Sequence, residues 1–172
     1  MKKLLIFITF TIFGIFVYSQ NTTSRLTIES GGSLNFYFNS LQKYQNGIEY
    51  TDWTKLRIYY NDTTDAGNVG INPTWKLDVK ALNPTFNGDA GNILNLNTLE
   101  LEATGIAGVT GIQALSNSDI SLITGGAITD PGTVSIFITY YCGQNKTGSN
   151  NNLLGKKPDY YYVDVVFTLG SD

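Results

Sequence analysis

The strongest constraint on this chain is a period of two. From Tyr160 to Leu169, Tyr161, Val163, Val165, Phe167 and Leu169 alternate with Tyr162, Asp164, Val166 and Thr168. Trp53 to Tyr60 repeats the pattern, with Leu56, Ile58 and Tyr60 on one phase and Lys55, Arg57 and Tyr59 on the other. Thr74 to Ala81 alternates Trp75, Leu77, Val79 and Ala81 with Lys76, Asp78 and Lys80. Thr98 to Ala103 alternates Leu99, Leu101 and Ala103 with Glu100 and Glu102. Successive side chains of a strand point to opposite faces, so each segment reads as a strand with one buried and one wet face.

Weaker segments complete the count. Arg25–Glu29 and Ser33–Asn39 flank Gly31-Gly32 as a hairpin, with Leu34, Phe36 and Phe38 as the inner face of the second. Gly111–Leu115 and Asp119–Thr124 flank a polar turn. Thr133–Cys142 is apolar on both phases, as a central strand is. Asn61–Pro73 and Asn83–Asn92 are Asn/Asp/Gly loops, and Gly143–Pro158 reads as a long, loosely held polar connection. No useful stretch has helical period. About nine short strands separated by turns predict an antiparallel β-sandwich, with a barrel as the alternative. The wet faces carry Lys, Arg, Glu and Asp, which counts against a transmembrane barrel.

Residues 1–19 read as a signal peptide. Lys2 and Lys3 precede the apolar run Leu4–Val17, and Val17-Tyr18-Ser19 supplies small residues at −3 and −1. The run is shorter than the roughly 20 residues a membrane span needs. Residues 20–172 are then a single domain, and the expected location is exported: extracellular, cell surface or periplasm. Loss of Lys2 and Lys3 takes Lys plus Arg from 11 to 9 against 14 Asp plus Glu, so net charge moves from −3 to −5. An acidic chain without basic runs is a poor partner for nucleic acid.

The composition also removes enzyme classes. With no His there is no Ser-His-Asp triad and no His-ligated zinc. One Cys closes no intrachain disulfide, and Cys142, at the end of an apolar strand, reads as a buried thiol. Glu100 and Glu102 share a strand face, which reads as a solvated face with Lys76 or Lys80 as cross-strand partners rather than as a catalytic dyad. No catalytic residue is assigned, and the chain is expected not to be an enzyme. Asp62, Asp65 and Asp89 lie in Gly-containing loops whose oxygen atoms suit calcium. Neither loop matches a calcium-loop pattern, and the same residue types cap ordinary turns, so no cofactor is assigned.

Aromatic residues are the remaining candidates. Tyr59, Tyr160 and Tyr162 fall on outward phases, and Trp53 opens the strand that carries Tyr59. Such rings can stack on sugars or anchor a protein partner, although Tyr is also a favoured strand residue.

The start Gln20–Asn46, with SGGSLNFYFNSLQKYQNG, resembles secreted flavobacterial (Bacteroidetes) proteins. These carry a Gly-then-Leu-x-Phe strand followed by an SLxxYxNGI segment, here Ser40 to Ile48. They are similar in layout to pilin-like and fimbrial immunoglobulin-type sandwiches. Trp75-Lys76-Leu77 and Phe167-Thr168-Leu169 also resemble the paired motifs of the WxL surface domain, with Phe in place of the second Trp. The first resemblance implies an immunoglobulin-like sandwich and a structural or adhesive surface subunit whose partners are other surface subunits. The second implies non-covalent attachment to a cell wall. The alternative is an extracellular carbohydrate-binding module that uses Trp53, Tyr59, Tyr160 and Tyr162 on glycans. The N-terminal tail Gln20–Ser24 is short and polar, hardly a donor strand for addition to another chain's sheet.

Overall fold

A computed structural model describes residues 21–63, 74–127, 133–149 and 151–172. The order is β1 (Asn21–Ser30), α1 (Leu41–Asn46), β2 (Ile48–Thr63), β3 (Thr74–Ala81), β4 (Thr85–Gly88), β5 (Ile93–Asn95) and β6 (Leu99–Thr104). It continues with β7 (Gln113–Ala114), β8 (Ile120–Ala127), β9 (Thr133–Cys142), β10 (Tyr161–Tyr162) and β11 (Val165–Ser171). Every ladder is antiparallel.

The strands form a five-stranded sheet, β1-β2-β9-β6-β7, and a three-stranded sheet, β11-β3-β8. A second three-stranded sheet, β10-β4-β5, continues from β3 and β11 past a break where the Leu82 amide donates to the Asp164 carbonyl at 2.9 Å. The alternating apolar residues of both layers meet in one core. Leu56, Ile58, Leu101, Ile136 and Ile138 come from the first sheet, and Trp75, Leu77, Val79, Leu122 and Ile123 from the second. The fold is an all-β sandwich, and β9, the segment apolar on both phases, lies at the centre of the larger sheet.

Eleven strands stand among the described residues, where the sequence predicts about nine. Tyr160–Leu169 is two strands, β10 and β11, in different sheets. The loop expected over Asn83–Asn92 contains β4, which pairs with β5 as a hairpin. Asn21 onward belongs to the edge strand β1, paired with β2 of the same chain.

Ser33–Asn39 makes no ladder. Leu34, Phe36 and Phe38 still turn inward onto the core, while the backbone is bound by side chains. The Trp53 indole donates to the Ser33 carbonyl at 3.0 Å and the Tyr50 hydroxyl to the Asn35 carbonyl at 3.2 Å. Leu41–Asn46 forms the short helix α1, which is too brief to show helical period. Ser40 caps its start, accepting from the Lys43 amide, and Gly47 ends it at φ 71°. A Cβ at Gly47 would lie 2.5 Å from the Cys142 carbonyl oxygen, so no other residue fits there without displacement.

Candidate functional site

The structure distributes the sequence-predicted residues over separate places. Trp53 lies in an irregular stretch of β2, where three residues stand between the Tyr50 and Thr54 pairs and one between their partners on β9. Asp52 holds this bulge at φ 49°, its amide donating to the Thr139 hydroxyl at 2.9 Å and its carboxylate accepting from Thr104 at 2.8 Å. Trp53 packs 5.1 Å from Tyr50, which packs 5.1 Å from Phe36. Its indole is anchored in this way, yet the residue stays 42% exposed. Tyr59 lies elsewhere on β2, between Arg25 and Thr133 on the adjacent strands, and is half-buried.

Tyr160 and Tyr162 are brought together. Tyr161 turns inward from β10 and leaves its two neighbours on the outer face, 80% and 57% exposed. The register sets Tyr162 opposite Asn87 on β4, and Asn87 opposite Ile93 on β5. Ile93 is also exposed. One small sheet therefore presents two tyrosines, an amide and an isoleucine to solvent.

Asp159 fixes this corner. Its carboxylate accepts from the Asn92 side chain at 2.9 Å, the Ala90 amide at 3.1 Å and the Tyr160 amide at 2.8 Å. Desolvation raises the Asp159 pKa, but these donors outweigh it and hold the carboxyl below its ordinary value. Neither Trp53 nor Tyr59 has a contact with this pair among the described interactions, so the four aromatics form no shared strip.

Among the oxygen-ligand candidates, Asp89 sits exposed at the β4–β5 turn, with its amide donating to the Tyr160 carbonyl at 3.3 Å. Asp65 and the side chain of Asp62 lie outside the described residues. Among the described residues no three His, Cys, Asp or Glu side chains gather as a metal site would require.

The Glu100 face is not solvated. Glu100 is fully buried beneath the Gly143–Pro158 connection. It accepts from the Lys146 amide at 2.8 Å and from the Thr147 amide and hydroxyl at 2.6 Å each. Glu102 accepts from the Tyr141 hydroxyl at 2.9 Å. Lys76 and Lys80 belong to the other sheet and pair with Asp78 and Asp119. Alternation located this face correctly, but it could not show that a polar loop folds back over it. Leu153, buried within that loop, is the sequence signal for its docking.

A further feature was not legible in the strand pattern. The two long edge strands, β1 and β11, lie along the same side of the sandwich. Their inward residues are incompletely covered. Ile28 is 50% exposed although Leu56, its partner on β2, is fully buried. Phe167 and Leu169 are partly exposed although Val79 and Leu77 opposite them are fully buried.

The opposite side is closed. Thr110 donates its amide to the Leu122 carbonyl at 3.0 Å, and the Thr124 amide donates to the Gly108 carbonyl at 2.9 Å, so a loop runs along the β8 edge. β7, β5 and β10 offer edges of only two or three residues. Among the described residues no helix is long and apolar enough to cross a membrane. No family model matches the chain, and no curated protein matches it at a significant level of similarity.

Proposed function

We propose that this chain is an exported, non-enzymatic surface protein that acts as a structural or adhesive subunit. The observation that carries this reading is the open side of the sandwich. β1 and β11 have no ladder partner on their outer sides among the described residues. β11, Val-Val-Phe-Thr-Leu-Gly-Ser, has no charged residue and no Pro. Natural sheets commonly block such edges with charges, Pro, a β-bulge or a covering loop. A loop covers β8 here, and β1 carries Arg25, Glu29 and a bulge between Ile28 and Ser30, whereas β11 has none of these. A long, uncharged edge beside half-covered apolar residues is suited to pairing with another strand.

A strain lacking this protein is expected to lose surface attachment. Restoring the chain should restore attachment, and restoring an Ile28→Lys variant should not. Attachment unchanged by the deletion would contradict the proposal.

The exposed pair Tyr160 and Tyr162 beside Asn87 favours a second reading, a carbohydrate-binding module. Two rings at alternate positions, Tyr162 on β10 and Tyr160 just before it, with an amide alongside, supply stacking surface and a hydrogen-bonding group for a sugar. Tyr160 and Tyr162 lie just before and on β10, and Ile28 lies on β1, so variants at different residues test the two readings.

A further inference from the structure

We infer that the partner at the β1 edge is β1 of a second copy of this chain, paired antiparallel about a two-fold axis at Thr27. The inference rests on the assembly reading above and names its partner and register.

The residues of β1 argue for it. Leu26 and Ile28 face the core side, opposite Ile58 and Leu56. Arg25, Thr27 and Glu29 face outward. Glu29 is the extra residue of a bulge between the Ile28–Leu56 and Ser30–Lys55 pairs, and it is held outward by ion pairs with Lys55, at 2.9 Å, and Arg57. A two-fold pair centred on Thr27 sets Leu26 against the second copy's Ile28, and Arg25 against the second copy's Glu29. Each apolar residue then meets an apolar one on the core side, and each charge meets its opposite on the outer face.

Neighbouring registers do not do this. Centring on Arg25 or Glu29 sets like charges against each other. Centring on Leu26 sets Ile28 opposite Ser24, centring on Ile28 sets Leu26 opposite Ser30, which the bulge turns to the Lys55 face, and both separate Arg25 from Glu29. Centring between residues turns the core face of one copy to the solvent face of the other. Of the two-fold registers centred from residue 25 to residue 29, only the one at Thr27 satisfies both faces.

The fold explains why the product is a pair. The axis brings β11 of each copy to the same seam, where Phe167 and Leu169 are half-covered. The far side of each sandwich is closed by the Gly108–Thr110 loop. An isologous contact uses one patch on both copies and consumes it, so this edge yields a dimer and not an open fibre.

Cross-linking at Thr27 tests the register. Opposed residues of an antiparallel pair have Cα atoms about 4.5–5.5 Å apart, within disulfide reach. Cys142 is buried and free, so it does not compete. The purified Thr27→Cys chain is expected to convert to a covalent dimer under mild oxidation and to return to monomer on reduction. An Arg25→Cys chain, whose counterpart across the seam is Glu29, is expected not to cross-link. Arg25→Glu should weaken association at least tenfold, and Arg25→Lys should not. Association in sedimentation without Thr27→Cys cross-linking overturns the register and leaves the assembly reading standing. A chain that is monomeric at every concentration overturns the self-pairing, whereas the surface-subunit reading falls only if attachment is unchanged by the deletion.

Discussion

Thr147 donates both its amide and its hydroxyl to the fully buried Glu100 carboxylate, at 2.6 Å each. With the Lys146 amide, these bonds convert a polar connection into a fixed lid over β6. Hydrogen bonds to a charged acceptor contribute about 1.5–3 kcal/mol each way they are probed by mutation. Glu100→Gln keeps the shape and removes the charge. It is expected to lower stability at pH 7 by roughly 1–3 kcal/mol in urea melts, with earlier protease cleavage between residues 144 and 158. Unchanged melts and cleavage would show that the carboxylate does not hold the loop.

The same site sets an acid limit. Desolvation pushes the Glu100 pKa up, but the Thr147 hydroxyl and amide, the Lys146 amide and the Asn151 side chain outweigh it, so the carboxyl sits below its usual 4.5. A depressed carboxylate contributes stability that is fully present above the unfolded value and is lost as pH falls through the folded one. The stability gap between the native chain and Glu100→Gln is therefore expected to hold above about pH 5 and to narrow below roughly pH 4. Thermal melts at pH 7 and pH 3 measure it, and a gap that widens in acid would reverse the assignment.

Gly47 offers a steric test. Its φ of 71° and the nearby Cys142 carbonyl leave no room for Cβ, whereas Gly111, at φ 81°, has nothing within 4 Å of that position. Gly47→Ala is expected to cost about 2–4 kcal/mol, combining backbone strain with overpacking. Gly111→Ala carries the backbone strain alone, roughly 1–2 kcal/mol. Equal losses in parallel urea melts would mean that the contact with Cys142 is not limiting.

Cys142 is 7% exposed, and desolvation pushes its thiol pKa up to about 12. A thiol with so little thiolate reacts slowly. At pH 8 a thiol reagent is expected to label the folded chain at least a hundredfold more slowly than the urea-unfolded chain. Comparable rates would place the thiol at the surface.

The carbohydrate reading makes its own demand. Tyr160→Ala combined with Tyr162→Ala removes two exposed rings and is expected to leave the melting temperature within about 2 °C, since exposed positions away from special features change little. Any glycan bound by the native chain on an array should be lost by this double variant. Retained binding would exclude the β10–β4 face as its site.

Alternation revealed the sandwich because it records which face of each strand is buried. β3 and β9 have the limits that their apolar patterns suggest. The β4–β5 hairpin escaped because Asn87, Gly88 and Asp89 carry turn chemistry, and Phe86 and Leu94 are too few inward residues to show a period. Ser33–Asn39 showed the right face but not its pairing, since its carbonyls are taken by Tyr50 and Trp53 from fifteen and twenty residues away. The outward phase of Tyr160 and Tyr162 was legible, while the separation of Trp53 and Tyr59 from them depends on sheet order. The open edge depends on sheet order too, because no local pattern marks which strand comes last.

Sedimentation equilibrium of the purified protein over a wide concentration range tests that open edge most directly. Reversible association to twice the monomer mass is expected, with Ile28→Lys, which sets a charge on the half-covered inner face of β1, shifting the chain to monomer while leaving it folded. A native chain that stays monomeric throughout, or a dimer indifferent to Ile28→Lys, would contradict assembly through β1.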